Sequence, residues 1–239
     1  MSELPQALHD RASDSIQQLR EAVATHGKIC YASSLGAESM VLTDLVWTEA
    51  PSIDVFTIDT GRLFPESHDL IERIERRYGR SLKIYSANAP AVESWVAQHG
   101  INGFRAGPDE RRACCAVRKL EPFRRGIAGY AAWITGIRAE QSGVRALARA
   151  SEWDAQNGLH KISPMLAWTD AEIWQYIRAK RLPYHRLHDQ GFPSIGCAPC
   201  TRAVAAGADP RSGRWWWERD DARECGLHPR VRPAAASIG

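Results

Sequence analysis

Cys114 and Cys115 are adjacent, and a second pair, Cys197-Ala198-Pro199-Cys200, follows much further along the chain. Four thiolates are the number that holds one tetrahedral zinc or one cubane iron–sulfur cluster. Zinc knuckles favour a gap of two to four residues within each pair, so the contiguous first pair favours the cluster. A further thiol, Cys225, stands in Arg223-Glu224-Cys225-Gly226-Leu227-His228, left over from that set. Four ligands and a free thiol point to redox chemistry. Cys30 belongs to neither group: it lies in the apolar stretch Ile29-Cys30-Tyr31-Ala32 and reads as a small core residue.

The elements that must position these thiols follow a strand-then-helix rhythm. An amphipathic helix over Leu8 to His26 precedes a short buried strand, Lys28 to Ala32. A small-residue turn, Ser33 to Ser39, leads into a helix to Glu49, and Ile53 to Ile58 is the next strand. Pro65 starts a helix that runs to Tyr78, with apolar residues at Leu70, Ile71 and Ile74. Leu82 to Tyr85 is a third strand, Val92 to Gln98 a helix, and Ala131 to Thr135 a fourth strand closed by Gly136. Strands alternating with helices predict an α/β fold, a parallel twisted sheet with helices on both faces. We expect an α/β nucleotide- and cluster-binding domain over residues 1–205 and a mobile C-terminal segment, 206–239, that carries Cys225.

In such sheets ligands bind beyond the carboxyl ends of the strands, where turns expose backbone N–H groups and helix N-termini. Three turns qualify. Ser33, Ser34, Gly36, Glu38 and Ser39 follow the first strand and offer hydroxyls and amides to an anion. Asp59, Thr60 and Gly61 follow the second, with a carboxylate suited to a ribose or an amine. Gly136-Ile137-Arg138 to Arg145 follows the fourth and adds positive charge. Together they make a nucleotide site the leading expectation, although the chain has neither Gly-x4-Gly-Lys-Ser/Thr nor Gly-x-Gly-x-x-Gly.

Composition narrows the class. With 239 residues, 44% of them hydrophobic, the chain can bury one good core. A net charge of +3 argues against a nucleic-acid binder, but basic residues cluster at Arg111-Arg112, Arg118-Lys119, Arg124-Arg125 and Arg211 to Arg219. A few of them facing one cleft would suit a small polyanion. The first nineteen residues carry acids and no apolar core, and no run reaches the roughly 18–20 apolar residues of a membrane span. Cysteines without a secretory signal fit a reducing cytoplasm. The expectation is a cytoplasmic protein without a membrane partner, with room for a homo-oligomer.

The chain resembles the assimilatory sulfonucleotide reductases, and within them the iron–sulfur-containing adenylyl-sulfate (APS) reductases. The resemblance runs from Ser33 to His228. Its parts are the pyrophosphatase-type loop Ser34-Leu35-Gly36-Ala37-Glu38-Ser39, then Asp59-Thr60-Gly61-Arg62-Leu63-Phe64-Pro65-Glu66 and Cys114-Cys115 with Arg118-Lys119. Ile134-Thr135-Gly136-Ile137-Arg138, Gln141-Ser142, Gly196 to Arg202, Gly213 to Glu218 and Glu224 to His228 complete it. The resemblance implies a [4Fe–4S] cluster on Cys114, Cys115, Cys197 and Cys200, with Cys225 as the nucleophile. It implies attack of Cys225 on the sulfur of APS, expulsion of AMP, and release of sulfite by thioredoxin from an S-sulfocysteine. The fold it implies for residues 1–205 is of the adenine-nucleotide alpha-hydrolase-like type. By residue match, Lys119, Arg138, Arg145, Arg211 and Arg214 are candidates for holding sulfate and phosphate. Nearby positive charge, from Arg223, His228 or a facing arginine cluster, would activate the thiolate.

One position departs from the pattern: family members often carry a second basic residue after the arginine matched by Arg138, and here it is Ala139. The Trp215-Trp216-Trp217 run reads as core packing beside the cysteines. Competing functions are a reductase of the 3′-phosphorylated substrate (PAPS), whose members typically lack the cluster cysteines, and a nucleotide-activating transferase. The latter would want Ser-Gly-Gly-x-Asp-Ser where this chain has Ser-Leu-Gly-Ala-Glu-Ser. A zinc-binding module would leave Cys225 and the nucleotide loops without a role.

Overall fold

Six strands succeed one another as β1 (Ile29–Ser33), β2 (Asp54–Asp59), β3 (Lys83–Ser86), β4 (Ala132–Ile134), β5 (Ser151–Asp154) and β6 (Leu159–Ile162). In the computed structural model, which describes residues 4–143 and 145–218, they form one sheet in the order β3-β2-β1-β4-β6-β5. The pairings from β3 across to β6 are parallel, and β5 runs antiparallel at the edge. The expected parallel sheet is therefore present with one antiparallel edge strand added. β1 lies at its centre, and the chain leaves it first towards β2 and later returns on its other side as β4. That reversal is where open α/β sheets form a crevice at the strands' carboxyl ends.

Among the described residues seven α-helices accompany the sheet: α1 (Gln6–His26), α2 (Ala37–Glu49), α3 (Pro65–Tyr78), α4 (Ala89–His99), α5 (Pro108–Cys115), α6 (Glu121–Ile127) and α7 (Asp170–Lys180). Side-chain alternation along the strands splits the core in two. Tyr31, Val55, Ile134 and Ile162 join α1, α2, α3 and α7 on one face. Cys30, Phe56, Trp133 and Leu159 join Phe123 and Ile127 of α6 on the other. Cys30 is fully buried, as expected of a core residue, and burial pushes its thiol up to about 12. A third apolar cluster unites Trp95, Phe104, Cys114, Cys200 and Trp215, which bears out the packing role read for that tryptophan.

α5 and α6 are joined by a π turn, Ala116–Leu120, that contains Arg118 and Lys119. The described part of the C-terminal segment folds back on the cysteine loop. Thr201 bridges Arg214, and Trp215 N–H donates to the Cys200 carbonyl at 3.2 Å. Gly213 allows that approach, because a Cβ there would lie 2.4 Å from the Arg202 carbonyl oxygen. The Arg111 and Glu218 side chains, both about 1% exposed, close it with a bidentate pair at 2.6 and 3.0 Å. Among the described residues no helix is long and apolar enough to cross a membrane.

Candidate active site

The loop after β1 is shaped by its own hydroxyls. Ser34 N–H donates to Ser39 Oγ at 3.1 Å, the two hydroxyl groups lie 2.8 Å apart, and Leu35 N–H reaches Ser33 Oγ at 3.4 Å. Leu35 holds a left-handed φ of 61°, a conformation that costs a branched side chain roughly 1–2 kcal/mol and tends to persist at functional turns. Gly36 is the N-cap of α2, so the positive end of that helix opens where the loop ends.

The turn after β2 works differently. Asp59 Oδ1 accepts from Gly61 N–H at 2.7 Å and its other oxygen lies 3.1 Å from His68 Nε2, so this carboxylate builds the turn. Thr60 faces inward instead. Its hydroxyl is 3.2 Å from Cys197 Sγ, and its carbonyl accepts from Arg118 Nη1 at 2.9 Å. Ala198 N–H donates to the Arg62 carbonyl at 2.8 Å, which fixes the second cysteine pair against this turn.

The loop after β4 carries Arg138, which is 5% exposed. Nε donates to Glu38 at 3.1 Å, Nη1 to Glu140 at 2.8 Å and Nη2 to Asp170 at 3.1 Å. Gln141 binds the same Glu38 oxygen at 2.7 Å and also accepts from Arg145. Burial raises the Asp170 pKa while Arg138 opposes the shift. His188 and Trp174 pack edge to face at 5.1 Å beside this group.

All three turns open on one cavity of about 460 Å³ at the carboxyl ends of the strands. Of the residues singled out in the sequence, Ser33, Ser34, Gly36, Glu38 and Thr60 line it. So do Lys119, Arg138, Arg145, Arg211 and Arg214, together with Cys114, Cys115, Cys197 and Cys200. Ser39, Asp59 and Gly61 are not in its wall; they shape the loops behind it. Cys225 and His228 lie outside the described residues. Sequence reasoning quoted Arg62 in a motif without giving it a role and passed over Glu140, Asp170, Trp174 and His188, all in the wall. For Asp170 a signal existed: Thr169-x-x-Glu172 forms a capping box that marks the start of α7.

The expected [4Fe–4S] cluster on Cys114, Cys115, Cys197 and Cys200 is corrected by this geometry. Among the described residues no group of three or more His, Cys, Asp or Glu side chains could hold a metal ion. Burial drives Cys200 up to about 12, with the neighbouring cysteines adding to it, and burial also raises Cys114. The iron–sulfur and metal-binding readings therefore fall; Cys114, Cys197 and Cys200 pack instead with the aromatic cluster.

Comparison with known proteins matches residues 28–203 to the family described as "Phosphoadenosine phosphosulfate reductase domain". A relative from Allochromatium vinosum named adenosine 5′-phosphosulfate reductase is 50% identical over 93% of this chain and 87% of its own length. One of the same name from Neisseria meningitidis serogroup A is 44% identical over 93% of this chain and 91% of its own. Among solved structures, the phosphoadenylyl-sulfate reductase from Candida auris, a phosphate complex, superposes with a TM-score of 0.68 at 26% identity, covering 85% of this chain and 99% of that one. An NH3-dependent NAD synthetase from Campylobacter jejuni, 10% identical and covering 79% of each chain, shares the fold alone, with a TM-score of 0.54.

Proposed function

The chain belongs to the phosphoadenosine phosphosulfate reductase domain family, and from that premise we propose that it reduces adenosine 5′-phosphosulfate to sulfite and AMP. The observation that carries the proposal is the single cavity in which the Ser34–Ser39 loop and the cations Arg62, Arg118, Lys119, Arg211 and Arg214 meet. A phosphosulfate is a compact polyanion, and guanidinium groups bind such oxygens in forks and stabilise charge on a departing phosphate. The Cys225 thiolate attacks the sulfur atom, the bond from sulfur to the phosphate oxygen breaks, and AMP leaves with the electron pair. The product on the protein is an S-sulfocysteine. A dithiol protein of the thioredoxin type then attacks the Cys225 sulfur, expelling sulfite. Its second thiol closes its own disulfide and returns Cys225 as thiolate. Two thiols are oxidised for each sulfite formed, so the electrons balance within thiol chemistry. The structural likeness to a reductase of the 3′-phosphorylated nucleotide keeps PAPS as the second reading.

The test is mass spectrometry on protein mixed with APS and no reductant. One sulfonate, about 80 Da, should appear on Cys225, with one AMP released per chain. Cys225→Ser should bind the nucleotide yet form neither adduct nor sulfite, because a neutral hydroxyl is a far poorer nucleophile. An adduct on Cys30, or full turnover by Cys225→Ser, would overturn the assignment.

A further inference from the structure

Apart from Arg111, which pairs with Glu218, the charged groups described in the cavity wall fall into two sets of opposite formal sign. Among the described wall residues, Arg62, Arg118, Lys119, Arg211 and Arg214 stand with one carboxylate, Asp209, near the cysteines. At the ends of β4 and α7, Glu38, Glu140 and Asp170 surround Arg138, with Arg145 joined to them through Gln141. Three carboxylates against two guanidinium groups leave that set negative. Every nitrogen of Arg138 is already committed to a carboxylate, so the one cation at its centre has no face turned to a second anion.

We infer that the Glu38–Glu140–Asp170 set is a specificity filter that rejects a nucleotide carrying a second phosphate on its ribose. The inference rests on reading the cavity as a 5′-nucleotide site. The 5′ anion is drawn to the five cations, which directs the uncharged nucleoside towards the carboxylates. A ribose hydroxyl can donate to a carboxylate there, whereas a ribose phosphate brings like charge and no donor. Rejection by placed like charge is a recurrent source of discrimination. Ala139 fits the same logic, since it withholds a further cation next to Arg138.

Calorimetry with AMP and with adenosine 3′,5′-bisphosphate tests this without turnover, the readout being the ratio of the two Kd values. The unsubstituted protein should favour AMP by at least about tenfold. The Glu140→Gln, Asp170→Asn double variant should narrow the ratio by at least about fivefold, and raised salt should narrow it in the unsubstituted protein. Glu140→Asp, which keeps the charge, should preserve it. Glu140 and Asp170 are 55% and 61% exposed in their side chains, so their variants should fold, and melting curves check this. An unchanged ratio in a folded double variant overturns the filter alone. Binding of neither nucleotide by the unsubstituted protein overturns the nucleotide reading, and equal binding of both overturns the APS preference.

Discussion

His185 shows at the scale of one residue how a buried group ties stability to pH. The ring is 1% exposed; Nδ1 accepts from Leu187 N–H at 3.4 Å and Nε2 lies 3.0 Å from Ser67 Oγ. Desolvation, with His188 adding to it, pulls its pKa from 6.5 down to about 4. Between those values the unfolded chain binds a proton that the folded chain refuses, so stability is intact above pH 6.5 and lost as pH falls towards 4. The loss by pH 4.5 should be about 2–3 kcal/mol, read from urea unfolding at pH 7 and 4.5. His185→Asn, which cannot titrate there, should remove that part of the slope; an unchanged slope would refute it. Single residues were legible where their neighbours in sequence define them. Cys30 in its apolar run and the hydroxyls of Ser33 to Ser39 are of that kind. The acids around Arg138 were not, because Glu38, Glu140 and Asp170 come from three separate segments that only the folded sheet brings together.

At the scale of elements, β1, β2, β3, β4 and the helices after the first three strands could be read from apolar runs, Pro65 and terminal glycines. α3 begins at Pro65 and ends at Tyr78 as expected, with Gly79 in the left-handed C-cap. The β5–β6 hairpin was missed, since Ser151-Glu152-Trp153-Asp154 is a half-exposed edge strand without an apolar run. α5 and α6 were also passed over, each too short for a clear period. Gly126 shows what α6 requires. A Cβ at that position would lie 2.5 Å from Phe56 Cε2, in the core between the helix and the sheet. Gly126→Ala should therefore destabilise the fold by about 1–2 kcal/mol, the overpacking cost outweighing the roughly 1 kcal/mol gain in helix propensity. Adding Phe56→Leu should recover part of the loss in urea unfolding, and a stabilised Gly126→Ala protein would show the contact to be soft.

The whole molecule is held around its cavity by the fold-back of residues 201–218, and the Arg111–Glu218 pair anchors that return. Glu218→Gln would break this buried bidentate pair, a change that typically costs about 3–5 kcal/mol. Chemical unfolding should register it, and replacing both partners by apolar residues should cost less than Glu218→Gln; equal losses would place the energy in packing. The crevice itself was legible from strand ends, since it depends only on chain order. The second sign of charge in its wall was not, because a net charge of +3 averages over both sets. One feature of the molecule acts through length alone. The π turn at Ala116–Leu120 spends an extra residue per turn, which sets the angle between Cys114–Cys115 and Arg118–Lys119. Each residue of a regular helix advances the face by about 100°. A gain or loss of one residue here would rotate the basic pair out of the cavity while leaving every side chain chemically unchanged. The number of residues in this stretch is therefore as much a part of the site as the two cations it carries.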